Sequence, residues 1–533
     1  MIASVQLISN SKNKVALVTE QLDFKCHIVL YKVEALNTFS RFDIEITFQE
    51  RIQLFRNHDY TWVPIDRNRI ANWYAPKIIS LENGAIVQAN RSVGIWEVDK
   101  NKPHVLLWRF NPENAQPYTK YSEGEHDKTI CQSFTDYDFS NPLALLFPKN
   151  KGLEVSRSIH PFSAILCFTD HCDFDTVTNL KAQRLFFKTH GIQMTKGFFL
   201  NQFSKRTDNA SFETDAEELL AWKADGHELA YHSLSQSIKS GDLALSDFKN
   251  FEPPVDDLVT WIDHGYQPYN LSLFEASGME QETYADVLKE KGIRILWNYI
   301  DSGTNTQGVL NQISPEQFTL KAYIKGIKGF GVFKFLSLLI KNILFYFVNS
   351  PKQTALYKEM AANFKKKRFV KLLGNLMVLL QIFIPILVFY KKKKQAVYPL
   401  AKFTPLFFKH QIKNTEFMIF QTLEMVDLKY GLNKRSVDSF IKESGVCIAH
   451  TYFSVPLAYH HGKLLAEEGI DSQVTENFSY LGEKISKKAI WNPTLNQLVS
   501  YMGHIEDLVF NINQEGQIYI TTSNNLITRP VSL

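Results

Sequence analysis

From Ser158 to Asp301, short apolar runs alternate with stretches of helical spacing, and this alternation restricts the fold more than any other feature of the chain. PFSAILCF (161–168) has the length of a buried strand, TVTNLKAQRLFFKTHG (176–191) reads as an amphipathic helix ended by glycine, and GFFL (197–200) is the next strand. DAEELLAWKADG (215–226) begins acidic, as helices favour, and leads into HELAYHSL (227–234). PVDDLVTWIDHG (254–265), the helix TYADVLKEKG (283–292) and the strand IRILWNYID (293–301) continue the series. Helices closed by Gly191, Gly226, Gly265 and Gly292 between such strands predict an α/β fold, a (β/α) barrel or part of one. In such barrels the chemistry gathers at the C-terminal ends of the strands.

The chain has 533 residues, too many for one ordinary domain. Residues 1–155 carry short β-branched and aromatic runs, KVALV, HIVLY, AIVQA, GIWEV and HVLLWRF, which predict a β-rich N-terminal domain without a cluster of catalytic groups. The barrel is expected in two pieces, 156–302 and 416–533, the second carrying FMIFQTLEM, the helix RSVDSFIKESG, the strand VCIAH, helical KLLAEEG and LGEKISKKAIW, and GQIYITTSN. A net charge of +4 on this length gives no reason to expect a nucleic-acid partner. Five scattered cysteines without CxxC spacing predict reduced, mostly buried thiols and neither a disulfide framework nor a structural zinc site. MIASVQLISNSKNK has no basic stretch leading into an apolar core, so the expectation is a cytoplasmic chain without a cleavable signal.

Residues 303–415 break the alternation. GFGVFKFLSLLIKNILFYFV (329–348) places Lys334 and Lys341 on one helical face, and LLGNLMVLLQIFIPILVFY (372–390) is uncharged between KKKR and KKKK. Pro385 and the basic flanks at both ends do not suit a simple crossing. Residues 329–394 are therefore expected to lie on the cytoplasmic face of a membrane with lysines at anionic headgroups. A buried helical hairpin is the alternative.

Directly behind PFSAIL stands CFTDHCDFDT (167–176), and acid groups at the end of a buried strand are costly unless something pairs with them. Asp170, His171, Asp173 and Asp175 follow the first strand, His232 a later one, Asp301 another, and His450 ends VCIAH. Carboxylates and imidazoles recurring at one end of successive βα units are the donor set of a divalent metal, with a further carboxylate placed to act as general base.

In these residues the chain resembles the polysaccharide deacetylase family, the NodB-homology domain of carbohydrate esterase family four, over about 158–301 and 415–500. CDFD matches its first motif in spaced form, and the resemblance implies Asp173 as general base and Asp175 as metal ligand, with Asp170 a candidate for either role. GHELAYHSLSQ (226–236) matches the second motif, with His232 as one metal histidine and Gln236 where the other would stand. Gln236 as a weak ligand, His171 or His264 in its place, and loss of the metal are the outcomes this leaves open. YQPYN carries Pro268 and Tyr269 of the third motif, with His264 close by, and LWNYIDSG carries Trp297 and Asp301 of the fourth. The resemblance implies that these line the substrate and that His450, in the fifth motif VCIAHTYF, protonates the leaving amine. The implied activity is metal-dependent, zinc-type removal of an acyl group from a sugar of an envelope glycan or lipid-linked precursor. A glycan-binding or scaffold protein that has lost its metal is the alternative, and a hydrolase of another metal class built on Asp170, His171 and Asp173 is a third.

Overall fold

The computed structural model describes residues 2–9, 12–30, 41–121, 128–137, 142–206, 209–237, 239–264, 271, 273–274, 278–348, 395–454, 464–465, 469–521 and 526–533. Pro268, Tyr269 and the uncharged stretch 372–390 lie outside them.

The N-terminal part is a pair of antiparallel sheets of six and seven strands. Phe42–Phe48 alternates buried and half-buried positions along its length, as a strand with one face on a core should. Ile44, Ile46, Trp96 and Trp108 of the first sheet share one apolar core with Ile28, Ile79, Val87 and Leu145 of the second. A separate hairpin, Pro117–Tyr121 with Lys128–Gln132, leaves this sandwich toward the second half of the molecule.

The second half is a closed parallel barrel of seven strands: β1 (Ala164–Asp170), β2 (Thr195–Phe198), β3 (Glu228–Tyr231), β4 (Thr260–Trp261), β5 (Ile295–Thr304), β6 (Thr415–Glu424) and β7 (Val446–Thr451). Each pairs with the next in chain order, and β7 pairs with β1. β1 meets β2 only through Thr169 and Asp170, at the C-terminal end, while Ile490–Trp491 pairs with Ala164 and Ile165 at the other. Gly197 is required there, because a Cβ on it would lie 2.5 Å from the Asp170 carbonyl oxygen.

Helices α1 (Val177–His190), α2 (Phe212–Ala224), α3 (Gly241–Asn250) and α4 (Gln281–Glu290) follow β1, β2, β3 and β4. Thr176 caps α1 by accepting from the Asn179 N–H, and Gly191 ends it at φ 64, where a side chain would be strained. The strands alternate as the pleat demands: Ile165, Cys167, Trp297 and Ile448 face the barrel interior, while Leu166, Phe168, Leu296 and Cys447 face the helices.

Two predicted helices are strands. PVDDLVTWIDHG contains β4 rather than a helix closed at Gly265, and α3 supplies the crossover before it. Both faces of β4 are buried, so its apolar run has no period to separate it from a helix. In KLLAEEG, Leu464–Leu465 pairs antiparallel with Gly469–Ile470. All five cysteines are free, and all but Cys131 are buried.

After β5 the insertion contributes α5 (Val332–Asn342), continued by a π-helical turn over Ile343–Val348. Lys341 pairs with Glu424 at the end of β6, 3.3 Å away, beside a Tyr346 hydroxyl that donates to the same carboxylate. Among the described residues, no helix is long and apolar enough to cross a membrane.

Candidate functional site

The pleat decides which polar groups reach the barrel mouth. Counting by two from Ile165 and Cys167 puts His171 on the interior side and Asp170 on the helix side. The same count sends His232, following Ala230, His264, following Ile262, and His450, following Ile448, inward. In the loop after β1, Phe174 at φ 67 reverses the chain, so that Asp173 and Asp175 part company.

Asp175 points to the helix layer. Its carboxylate accepts from Gln183 and Ser454 at 2.8 and 2.5 Å and pairs with the Lys196 ammonium at 2.5 Å. Lys196 also pairs with Asp170, and although burial opposes its charge, the two carboxylates raise its pKa above the lysine range. The carboxylate expected to ligate a metal is thus paired with a buried ammonium in this structure. Gln236, expected as a weak ligand, is likewise engaged by protein groups. Its amide oxygen accepts from the Phe203 N–H at 2.7 Å and its amide nitrogen donates to Gln202 Oε1 and the Ala210 carbonyl at 2.9 and 3.3 Å.

The groups that do converge are His171, Asp173 and His232, one ligand atom from each lying within 4.8 Å of the others. His232 Nδ1 lies 3.0 Å from the Ile262 carbonyl, which can only accept, so Nδ1 carries the hydrogen. Nε2 then faces Asp173 Oδ2 at 3.1 Å. With Nδ1 donating to the carbonyl, the Nε2 lone pair of a neutral ring points at that carboxylate, an arrangement that a shared cation would satisfy. Burial would raise the Asp173 pKa, but His264 and His232 hold it at about 2. His171 Nε2 is buried and has no hydrogen-bond partner among the described residues. Burial, reinforced by His450, His232, His264 and Lys196, pushes the His171 pKa well below the histidine range. One unpartnered imidazole nitrogen thus meets a carboxylate and a second imidazole, which a backbone carbonyl fixes from behind, as metal-bound histidines are usually fixed.

His264, expected to line the substrate, stands against this group, its Nδ1 3.6 Å from Asp173 Oδ1. Burial, only partly offset by Asp173, lowers its pKa to about 4. On the other side the His450 ring stacks on His171 with centroids 4.1 Å apart. His450 Nδ1 lies 3.1 and 3.2 Å from the two Asp301 oxygens, and Asp301 accepts from the Thr422 hydroxyl at 2.7 Å. Burial would lower the His450 pKa, yet the Asp301 charge raises it above the ordinary value. Its Nε2 has no partner among the described residues. Trp297 closes the wall, 4.9 Å from His171 and 4.8 Å from His450, ring centre to ring centre. Asp301 therefore serves His450 and Trp297 backs both imidazoles, while Pro268 and Tyr269 fall outside the described residues.

The motif spacing alone did not single out His171 as a ligand, nor Lys196 as the partner of Asp170 and Asp175. The inward parity of His171 was available in the sequence, whereas Lys196 carries no local signal.

No family model matches the chain, and no curated protein matches it. Among solved structures, a xylosidase from Aspergillus niger is similar at 9% identity over 56% of this chain and 41% of its own, with a TM-score of 0.19. A GH31 dextranase from Flavobacterium johnsoniae, complexed with glucose, is similar at 7% identity over 54% and 40%, with a TM-score of 0.22. A mutant of that dextranase, complexed with isomaltotriose, gives 7%, 55%, 41% and 0.22 in the same order. The chain thus spans about two fifths of the length of these structures.

Proposed function

We propose that the chain is a metal-dependent hydrolase that removes an acetyl or other acyl group from a sugar, on a divergent barrel of the polysaccharide deacetylase type. The convergence of His171, Asp173 and His232 carries this reading. Two imidazoles and a carboxylate are a donor set that suits zinc and leaves positions open. When bound there, the metal would polarise the acyl oxygen and lower the pKa of water.

The remaining groups divide the proton work. Asp173 offers Oδ2 to the ligand set, while Oδ1 and His264, facing each other at 3.6 Å, take the proton of the attacking water. His450, oriented through Nδ1 by Asp301, delivers a proton from Nε2 to the leaving nitrogen or oxygen. The Trp297 ring, with its N–H donated to Thr422 at 3.0 Å, excludes water from the inner wall.

The membrane setting belongs to the same proposal. The stretch 372–390 and its lysine flanks suit the cytoplasmic face of a bilayer, and α5 ties the insertion to Glu424, whose backbone pairs with His450 across β6 and β7. A lipid-linked or envelope-glycan substrate fits that placement.

Acyl release from N-acetylated glycans by the full chain, with and without a chelator, tests the reading. Release that the chelator stops and zinc restores is expected. Metal-independent release, or none from a folded, zinc-loaded protein, contradicts it.

A further inference from the structure

We infer that Tyr299 and Tyr452 bracket a saccharide subsite at the barrel mouth, and that Tyr121 of the N-terminal hairpin positions Tyr299 within it. This rests on the sugar-hydrolase reading above and names where the sugar ring sits.

The first observation is a distortion in β5. Its register against β6 slips between Trp297 and Asp301, which pair with Phe420 and Thr422, so two extra residues are accommodated. Within the slip Tyr299 adopts φ 55, a left-handed conformation unfavourable for a bulky side chain. Such strain persists only where its surroundings impose it, and it collects at binding and catalytic sites.

The surroundings that impose it are identifiable. The Asn298 side chain accepts from the Ile300 N–H at 3.0 Å and donates to Gln421 Oε1 at 3.0 Å and to the Pro117 carbonyl at 2.9 Å. Thr119 of the same hairpin donates to the Tyr299 carbonyl at 3.4 Å, and the Tyr121 ring stands edge-on to the Tyr299 ring, centroids 5.2 Å apart. The β-sandwich thus reaches across to hold one bulged residue of the barrel.

The second observation is where the ring goes. Tyr299 lies 4.6 Å from Trp297, Trp297 lies 4.8 Å from His450, and Tyr452 lies 5.3 Å from His450 and 4.9 Å from His171. These rings form one continuous row with the candidate proton donor in the middle. Trp297 and Tyr121 are buried, while Tyr299 and Tyr452, at the two ends of this series of contacts, are half-exposed. A pyranose offers a face of C–H groups rimmed by hydroxyls, and a half-exposed tyrosine offers an apolar face with a hydroxyl tip. The row therefore fits a sugar ring laid beside the bond to be cut.

Calorimetric titration of the full-length, chelator-treated protein with an N-acetylglucosamine oligomer tests this apart from catalysis. Tyr299→Gly removes the ring while keeping a residue that accepts φ 55, so folding is preserved. Tyr299→Gly and Tyr452→Ala should each weaken binding about tenfold, with Tyr299→Phe close to wild type. Wild-type affinity in both ring-removing variants, or no binding by the wild type, overturns the subsite. Saccharide binding that follows this pattern in a protein that releases no acyl group would instead leave the subsite standing and sink the hydrolase reading.

Discussion

His450 and Asp301 show how one contact assigns a role. A buried imidazole without a partner would be neutral, but the Asp301 carboxylate reverses that preference and raises the His450 pKa. Because the folded-state value is raised, the stability this pair contributes is complete below pH 6.5, the ordinary histidine value, and is lost as pH rises through the raised one. The same protonation supplies the proton for the leaving group, so activity should fall as pH rises through the His450 pKa. Asp301→Asn should move that falling limb toward acid. A pH–rate profile of kcat checks it, and an unmoved limb would remove His450 from the proton path.

At the scale of elements, much of the barrel was legible. The strands β1, β3, β5 and β7 and the helices α1, α2 and α4 fall within segments whose spacing and caps announce them. β4 was not legible, because burial on both faces erases the period that marks a strand, and the bulge in β5 was not, because no glycine marks it. The site was half legible. His232 and His450 follow inward-facing strand positions and Asp173 lies beside His232, but the CDFD spacing could not say that a left-handed Phe174 turns Asp175 toward Lys196.

The insertion was misread in one respect that changes how to test it: α5 packs on the barrel through Lys341 and Tyr346, so removing it would disturb Glu424. The Phe347 and Tyr398 rings lie 6.2 Å apart, so a short Gly-Ser linker can replace 349–394 alone. That variant should fold and leave the membrane fraction for the soluble one. A full chain already found in the soluble fraction, or a variant that fractionates like the full chain, would contradict the proposed membrane role of the insertion.

Across the whole molecule, sandwich and barrel are joined by buried charge. The Arg157 guanidinium donates to the carbonyls of His58 and Tyr74 at 2.6 and 3.2 Å and to Ser444 before β7 at 3.1 Å. Nearby, Glu154 pairs with Arg56 at 2.9 Å and with Arg529 of the C-terminal strand at 2.5 Å. Arg157→Met strands two buried carbonyls and a half-buried one, a loss of about 3–5 kcal/mol. Calorimetry should show the two halves unfolding together in the wild type and separately, at lower temperature, in the variant. A single transition at the wild-type temperature would deny Arg157 this role.

The central claim is that His171, Asp173 and His232, and not the Asp175 and Gln236 that motif spacing proposes, hold a single metal ion. Elemental analysis of purified full-length protein and five variants, each checked for folding, tests it most directly. The account predicts near-stoichiometric zinc in the wild type, in Asp175→Asn and in Gln236→Ala, and its loss in His171→Ala, Asp173→Ala and His232→Ala. A folded wild type that binds no metal, or zinc that survives His171→Ala but leaves with Gln236→Ala, would contradict it.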